Sequence, residues 1–484
     1  MIFIHPQTYH FTMAKKAKKI KTAKGLKLDV VNPNAAGIDV SSKEMQVCVP
    51  EDRDGDNNRC FGVFTEDLKS INSWLKACKI DTVVMEATGV YWVPLFMSLA
   101  SDGFDVVLVN AKDVKNISEK KTDEVDAEWI MLLHSYGLLK SSFQPENEAR
   151  RIRNLSRHRS NLVRSSAKEV LHMQKSMELM NIKLCNVISD ILGVSGQLII
   201  TAIISGERDA EKLAALADSR CKSSKEEIRK SLEGKWDDDL LFMLKQSYDL
   251  YRYVQHQMRD CDKEIQLIIN EYKKRVIQDN QPKECLRSNK KKSAKNCVTI
   301  DIEAEAAQLW GVNLMRIDGI SEGTVLNLLG ELGHNFTDQF DSYKPFGRWC
   351  NVTPNNKISG GKLLSSHIPK RKSKVGQILR MAANSLKSSK TPLGEYFRKV
   401  QAKKGYIPAI IATAHKLAKI IYTMVKKKIE YDQTRLIQNN EDMLRKKLLR
   451  TQKAMEKIEK QLNKVVKSHE TDNLDVADLV DVVF

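Results

Sequence analysis

From Ala36 onward the apolar positions follow two rhythms in turn. Short runs rich in β-branched residues, "GIDVSSKEMQVCVP" (37–50), "IDTVVMEAT" (80–88) and "FDVVLVN" (104–110), read as strands, the first continuing as a hairpin through "CFGVF" (60–64). Between them, "DLKSINSWLKAC" (67–78) and "YWVPLFMSLAS" (91–101) repeat apolar residues every three or four positions and read as helices. A closing helix covers roughly residues 122–135. Strands alternating with helices predict an α/β layer fold for residues 35–145. From residue 146 to 275 strand signals nearly vanish. Two long patterns with apolar residues at i, i+3 and i+4, starting at Ala149 and Asp237, predict a helical hairpin or coiled coil with shorter helices between. Residues 276–308 begin polar and Lys/Asn-rich and read as a linker. A mainly helical second module follows over 309–430, then a charged helical tail over 431–484. Residues 1–34 form a lysine-rich arm expected to be disordered.

Composition narrows the partners. The chain has 484 residues, 42% of them hydrophobic, with a net charge of +18 and a pI near 9.3. A chain this basic is expected to bind an acidic partner, most commonly nucleic acid. No run of about 18 apolar residues predicts a membrane span, and the start "MIFIHPQTYHFTM" does not read as a signal peptide, with Met13 standing as an alternative start. The nine cysteines show no C-x-x-C and no finger spacing, which fits free thiols in a reducing cytosol. The charge is also segregated. Between Ala36 and Ala149 there are 11 basic and 20 acidic residues; between Asp341 and Lys428 there are 20 basic and 2 acidic. An acidic module that binds cations beside a basic one that binds phosphates explains this split; a uniformly solvated surface does not.

Four carboxylates carry the acidic module's candidate chemistry. Asp39 lies in the first strand and Glu86 at the end of a later one. Asp123 and Asp126 share the closing helix, three residues apart and so on one face. A ribonuclease-H-like fold places acids in this order: one on the first central strand, one at a neighbouring strand's end, and more on a helix packing across both. Mg²⁺ (or Mn²⁺) among such carboxylates relieves their repulsion and suits phosphodiester chemistry. Each acid alone is as well explained by a turn cap or a solvated helix face.

In the basic module "LMRIDGISEGTVLNLLGELG" (314–333) resembles a helix-hairpin-helix, with Gly319 and Gly323 able to bring turn amides near a phosphate. An ordinary turn between helices explains it equally. Further on, Ser359 precedes two glycines, with Lys357 and Lys362 beside it and Lys370, Arg371, Lys372, Lys374 and Arg380 following. Small neighbours let a phosphate approach the hydroxyl, and the cations can balance the developing charge. The same stretch also makes a good turn.

The blocks "AAGIDVSSKEMQVCVP", "VVMEATGVYW", "LVNAKDVKN", "KKTDEVDAEWI", "LMRIDGI", "NNKISGGKLLSS", "LRMAANSL", "LGEYFRKVQAKKG" and "ATAHKLAKIIY" together resemble the insertion-sequence one-ten family of transposases, in its eleven-eleven branch. These are also described as DEDD transposases or bridge-RNA-guided recombinases. The resemblance spans roughly residues 35–430. It implies a RuvC-like domain whose acidic tetrad falls on Asp39, Glu86, Asp123 and Asp126, then a coiled coil, then a transposase domain whose serine falls on Ser359. It implies a covalent phosphoserine intermediate assisted by Mg²⁺, acidic and serine sites combined from different subunits in a dimer or tetramer, and a structured noncoding RNA that pairs with donor and target DNA. A resolvase-like nuclease using water, and a DNA invertase on the same scaffold, remain as alternatives. The family's K-x-G-N-x-x-L-R is here "KSKVGQILR", without the Asn.

The charge segregation generates the first prediction. Affinity for duplex DNA is expected to fall with salt at a slope of about −0.9 per phosphate neutralised. Changing Lys370, Arg371 and Lys372 to Ala is expected to flatten that slope in a filter-binding titration. An unchanged slope and affinity mean that these side chains form a solvated face.

Overall fold

The computed structural model describes residues 19–21, 27–87, 89–110, 123–277, 286–290, 296–370, 372–434, 444–445 and 448–463, with backbone alone for 19–21, 27–28 and 123–125. The chain divides into two compact units, residues 1–144 and 145–484.

In the first unit, short strands β1 (Lys19–Lys21) and β2 (Lys27–Asp29) pair antiparallel. The main sheet holds β3 (Ala35–Val40), β4 (Met45–Cys48), β5 (Asn58–Phe61), β6 (Thr82–Glu86) and β7 (Asp105–Val109) in the order β5-β4-β3-β6-β7. The stretch expected as one strand at 37–50 is two, because the Ser41 hydroxyl accepts from the Lys43 and Glu44 amides and closes a turn. β4 runs antiparallel to β3 and β5, whereas β6 runs parallel to β3 and β7. Among the described residues the unit also holds the helices α1 (Thr65–Ala77), α2 (Trp92–Ser101) and α3 (Asp123–Ser135).

Alternation along the strands assigns the two faces of the sheet. Ala36, Ile38 and Val40 of β3 join Val83 and Met85 of β6 in a core with Ile71 and Leu75 of α1 and Leu95 and Leu99 of α2. The opposite face belongs to α3: Val84 and Val109 pack with Ile130, and Cys48 with Ala127 and Met131. Burial and the nearby Glu128 and Glu51 carboxylates push the Cys48 thiol up to about 12. At Gly37 the helix lies directly on the strand. A Cβ there would fall 2.2 Å from the Ala127 carbonyl oxygen and 2.5 Å from the Met131 amide.

The second unit is built on two long helices, α4 (Asn147–Leu179) and α9 (Asp238–Val276). At 1.5 Å per residue they run about 50 and 58 Å. They are antiparallel: Arg275 pairs with Glu146 and Glu148, Arg159 with Asp262, and Gln255 donates to Ser166. Between them, α5 (Leu184–Val187), α6 (Val194–Ile204), α7 (Ala210–Ala215) and α8 (Lys225–Ser231) close over an apolar core with Met173, Met177, Leu244 and Tyr248 of the long helices.

The stretch after α9 is tied down at the points described. Asp262, fully buried, accepts from Arg159 at 2.6 Å and from the Thr299 amide and hydroxyl at 2.9 and 3.1 Å, while Arg159 also donates to the Asn296 and Cys297 carbonyls. Lys290 donates to the carbonyls of Ile317 and Ile320 at 2.6 and 2.8 Å. Then follow α10 (Ile302–Trp310), α11 (Glu322–Leu332), α12 (Tyr343–Trp349), an antiparallel hairpin of β8 (Asn355–Ser359) and β9 (Lys362–His367), and α13 (Lys374–Ser385), α14 (Pro392–Lys404) and α15 (Tyr406–Lys427). The element before α11 is one 3₁₀ turn, Leu314–Arg316, and Gly319, at φ +80°, packs where a Cβ would meet the Ala382 carbonyl at 2.8 Å. α11 packs on α4, and Arg157 clasps Glu331 through two hydrogen bonds of 2.7 and 2.8 Å. Residues 448–463 of the tail are helical and exposed. No helix among the described residues is long and apolar enough to cross a membrane.

The contact at Gly37 gives a stability prediction. Gly37→Ala drives a methyl into helix backbone, which cannot rotate away as a side chain can. A loss of about 1–3 kcal/mol or more is expected in denaturant unfolding of the first unit; an unchanged midpoint would show that α3 can lift without cost.

Candidate active site

The acids expected on the sheet occupy one end and one face of it. Asp39 lies two residues beyond Gly37 on β3, so its side chain leaves on the α3 side. Ile38 pairs with Met85 across the parallel β3–β6 ladder, and Asp39 and Glu86 are the next residue on each strand. Glu86 in turn follows Val84, whose side chain packs under Ile130 of α3. Both carboxylates are therefore at the carboxyl ends of adjacent parallel strands and on the α3 face, the position where open α/β sheets form ligand crevices. Both are half-buried.

α3 runs antiparallel to β3 above them. Its last turn is fixed at the start of β3, where the amides of Val31 and Asn32 both donate to the Ser135 carbonyl at 2.8 and 2.9 Å. Asn32 also donates to the His134 carbonyl, and the His134 ring bonds the Thr82 hydroxyl at 2.9 Å. Burial pulls the His134 pKa down, which favours the neutral ring. The middle of the helix rests on Gly37. Its first turn, which carries Asp123 and Asp126, extends toward the Asp39 end of the strand. Asp126 is half-buried; the Asp123 side chain lies outside the described residues. Among the described residues no three His, Cys, Asp or Glu side chains stand close enough to hold a metal ion.

Ser359 occupies a different setting. It is the last residue of β8 and pairs with Lys362 across the two-residue turn Gly360–Gly361. Those glycines have φ of +53° and +76°, the left-handed pair that a tight hairpin turn requires. Lys357 pairs with Ser365, so Lys357, Ser359, Lys362 and Ser365 share one face of the ribbon. All are exposed except the half-buried Ser365.

The root of the ribbon is stitched closed. Asn351, at φ +56°, donates from its side chain to the Pro369 carbonyl at 3.0 Å, and Arg380 donates to the Asn351 carbonyl at 3.2 Å. Gly376 of α13 abuts the Cys350 carbonyl so tightly that a Cβ would lie 1.9 Å from it. Lys370 and Lys372 are exposed at the root, Lys374 opens α13, and Arg371 lies outside the described residues. The clamp by Asn351 and Arg380 was not read from the sequence; an Asn closing a helix before a polar run was the available signal.

A five-stranded mixed sheet with one antiparallel edge, followed by a helical remainder, is compatible with the RuvC-like class. Two family models match the chain: a DEDD transposase model of the IS110 group, described as Transposase, over residues 36–182, and one described as Transposase IS116/IS110/IS902 family over residues 312–398. The chain thus carries two domains of the IS110-family DEDD transposases, and these support DNA transposase activity. No curated protein matches it.

Proposed function

We propose that this transposase cuts and rejoins DNA through Ser359 as nucleophile, with Asp39, Glu86, Asp123 and Asp126 holding Mg²⁺ or Mn²⁺. The observation that carries the acidic half is the shared position of Asp39 and Glu86, at one end and one face of the sheet, under the helix whose first turn bears the two aspartates. These are hard oxygen donors, the set that Mg²⁺ takes, and the bound ion would stabilise charge on the attacking and leaving oxygens. The residues' own part would be to converge from two strands and a helix, and the reading is supported by the Gly37 contact and the Ser135 carbonyl, which seat that helix on the strand.

The serine half follows from the ribbon. The Ser359 hydroxyl stands beside a turn with no side chains, so a phosphate can approach it closely. Lys357 and Lys362 on the same face supply positive charge to the pentacoordinate phosphorus. Ser359 Oγ bonds phosphorus and gives up its proton. The bond from phosphorus to one deoxyribose oxygen breaks, and that oxygen takes a proton as it leaves. Attack by a second strand's hydroxyl reverses these steps, so rejoining needs no ATP. Lys357, Lys362, Lys370, Arg371, Lys372, Lys374 and Arg380 would follow the DNA backbone. The resemblance supports extending this reading to an assembly of at least two copies and to a structured guide RNA that selects the donor and target sequences.

Two predictions separate the halves. Asp126→Asn removes one charge at nearly constant shape and relieves repulsion, so folding is expected to be kept while recombination falls by about 10²-fold or more. Full activity, or activity indifferent to a chelator, rules out the metal site. Ser359→Ala is expected to abolish a protein–DNA adduct that otherwise survives denaturant and disappears with protease, while DNA binding persists. Cutting at the same bonds by Ser359→Ala identifies water as the nucleophile, the resolvase-like outcome. An adduct mapping to Ser365 or Ser366 moves the assignment along the ribbon.

A further inference from the structure

The face of the ribbon opposite Ser359 is apolar and bare. Ile358 pairs directly with Leu363, so both point away from Ser359, and the bulge that shifts register between Lys357 and Ile358 adds Leu364 beside them. Their exposures are 64%, 57% and 67%. A free two-stranded ribbon is marginal in water at best, and this one holds three large apolar side chains in solvent although its root is clamped on both sides.

The occupant is defined by what surrounds the trio. From Ser342 to Gly394 the chain has no Asp or Glu, while Lys357 and Lys362 lie on the ribbon itself and Lys370 and Lys372 at its root. An apolar face on a ribbon that carries lysines and no carboxylate suits a polyanion that also offers apolar surface. Duplex DNA offers both, phosphates outside and stacked bases within. Its major groove admits a two-stranded ribbon. DNA-bending proteins unstack base steps by inserting apolar side chains of this kind.

We infer that Ile358, Leu363 and Leu364 form a wedge that enters duplex DNA and parts one base step beside the phosphate presented to Ser359. The inference rests on the proposed role of the ribbon in engaging DNA, but not on Ser359 being the nucleophile. Ile358 is the immediate neighbour of Ser359, and Leu363 of Lys362, so wedge and hydroxyl sit on opposite faces of the same few residues at the tip of the ribbon. Parting a step costs a few kcal/mol, and it frees the sugar–phosphate backbone to turn toward an attacking group.

The test uses full-length Ser359→Ala protein with its guide RNA but without divalent metal, so that no chemistry occurs. It is mixed with a set of duplexes carrying the element's end, each with one 2-aminopurine near the junction. The expected result is a fluorescence rise at one step, lost when Ile358, Leu363 and Leu364 are changed to Thr, which keeps strand propensity. In the Ser359 protein with metal and guide RNA, the same triple change is expected to lower recombination about tenfold or more on matched DNA and by less than about threefold where that step is mismatched and already open. No fluorescence rise at any step, or equal losses on matched and mismatched DNA, overturns the wedge. So does a change in sedimentation mass of the DNA-free triple variant, which would assign the face to another copy of the chain. A fluorescence rise together with no covalent adduct in the Ser359 protein would leave the wedge standing and remove the nucleophile assignment instead.

Discussion

The candidate acidic site depends on one steric fact, the absence of a side chain at Gly37. α3 must touch the backbone of β3 there, because any larger residue would hold the helix off by the width of a methyl group. That contact sets the height of the helix above the sheet, and the Ser135 carbonyl sets its position along the strand. The first turn of α3, with its two aspartates, is then carried toward Asp39 and Glu86 without any loop having to specify it. Close carboxylates repel, so the assembly is held by packing at the middle and far end of the helix, away from the charges. A single rigid lever of 13 residues converts apolar burial at Ala127, Ile130 and Met131 into the placement of acids.

Much of the first unit is legible because each element keeps its own period. β6 is buried on both faces over Thr82–Met85 and β7 over Leu108 and Val109, and a strand buried on both sides reads as continuous apolar sequence. The division of the first run into β3 and β4 was less visible, since Ser41 turns the chain with its hydroxyl and not with a glycine or proline. Gly37 itself looked like any small residue in a strand. Its reason lies 90 residues away, beyond the reach of local pattern.

In the second unit the long helices announce themselves, but what they hold does not. Asp262 is the carboxylate on the buried side of α9, between Asp260 and the exposed Glu264, and its partners come from α4 and from the polar stretch read as linker. Composition described that stretch correctly as polar; its attachment is tertiary. The Ser-Gly-Gly turn was legible, whereas the ribbon around it was not. Both of its faces are exposed, so the sequence lacks the alternation that one buried face would impose. Ile358 is separated from Leu363 and Leu364 in sequence by the turn, and the register alone sets the three side by side.

The Arg159–Asp262 pair bears on more than attachment. Two amphipathic helices of this length can bury comparable apolar surface in several offsets, each one turn apart. Only one offset brings this guanidinium to this carboxylate; a slip of one turn would leave two charges in the interior without partners, at a cost of about 3–5 kcal/mol. The pair therefore acts as a detent, indifferent to how tightly the helices adhere but decisive about which notch they occupy. Because Asp262 also grips Thr299, the same notch fixes where the chain leaves for the basic module.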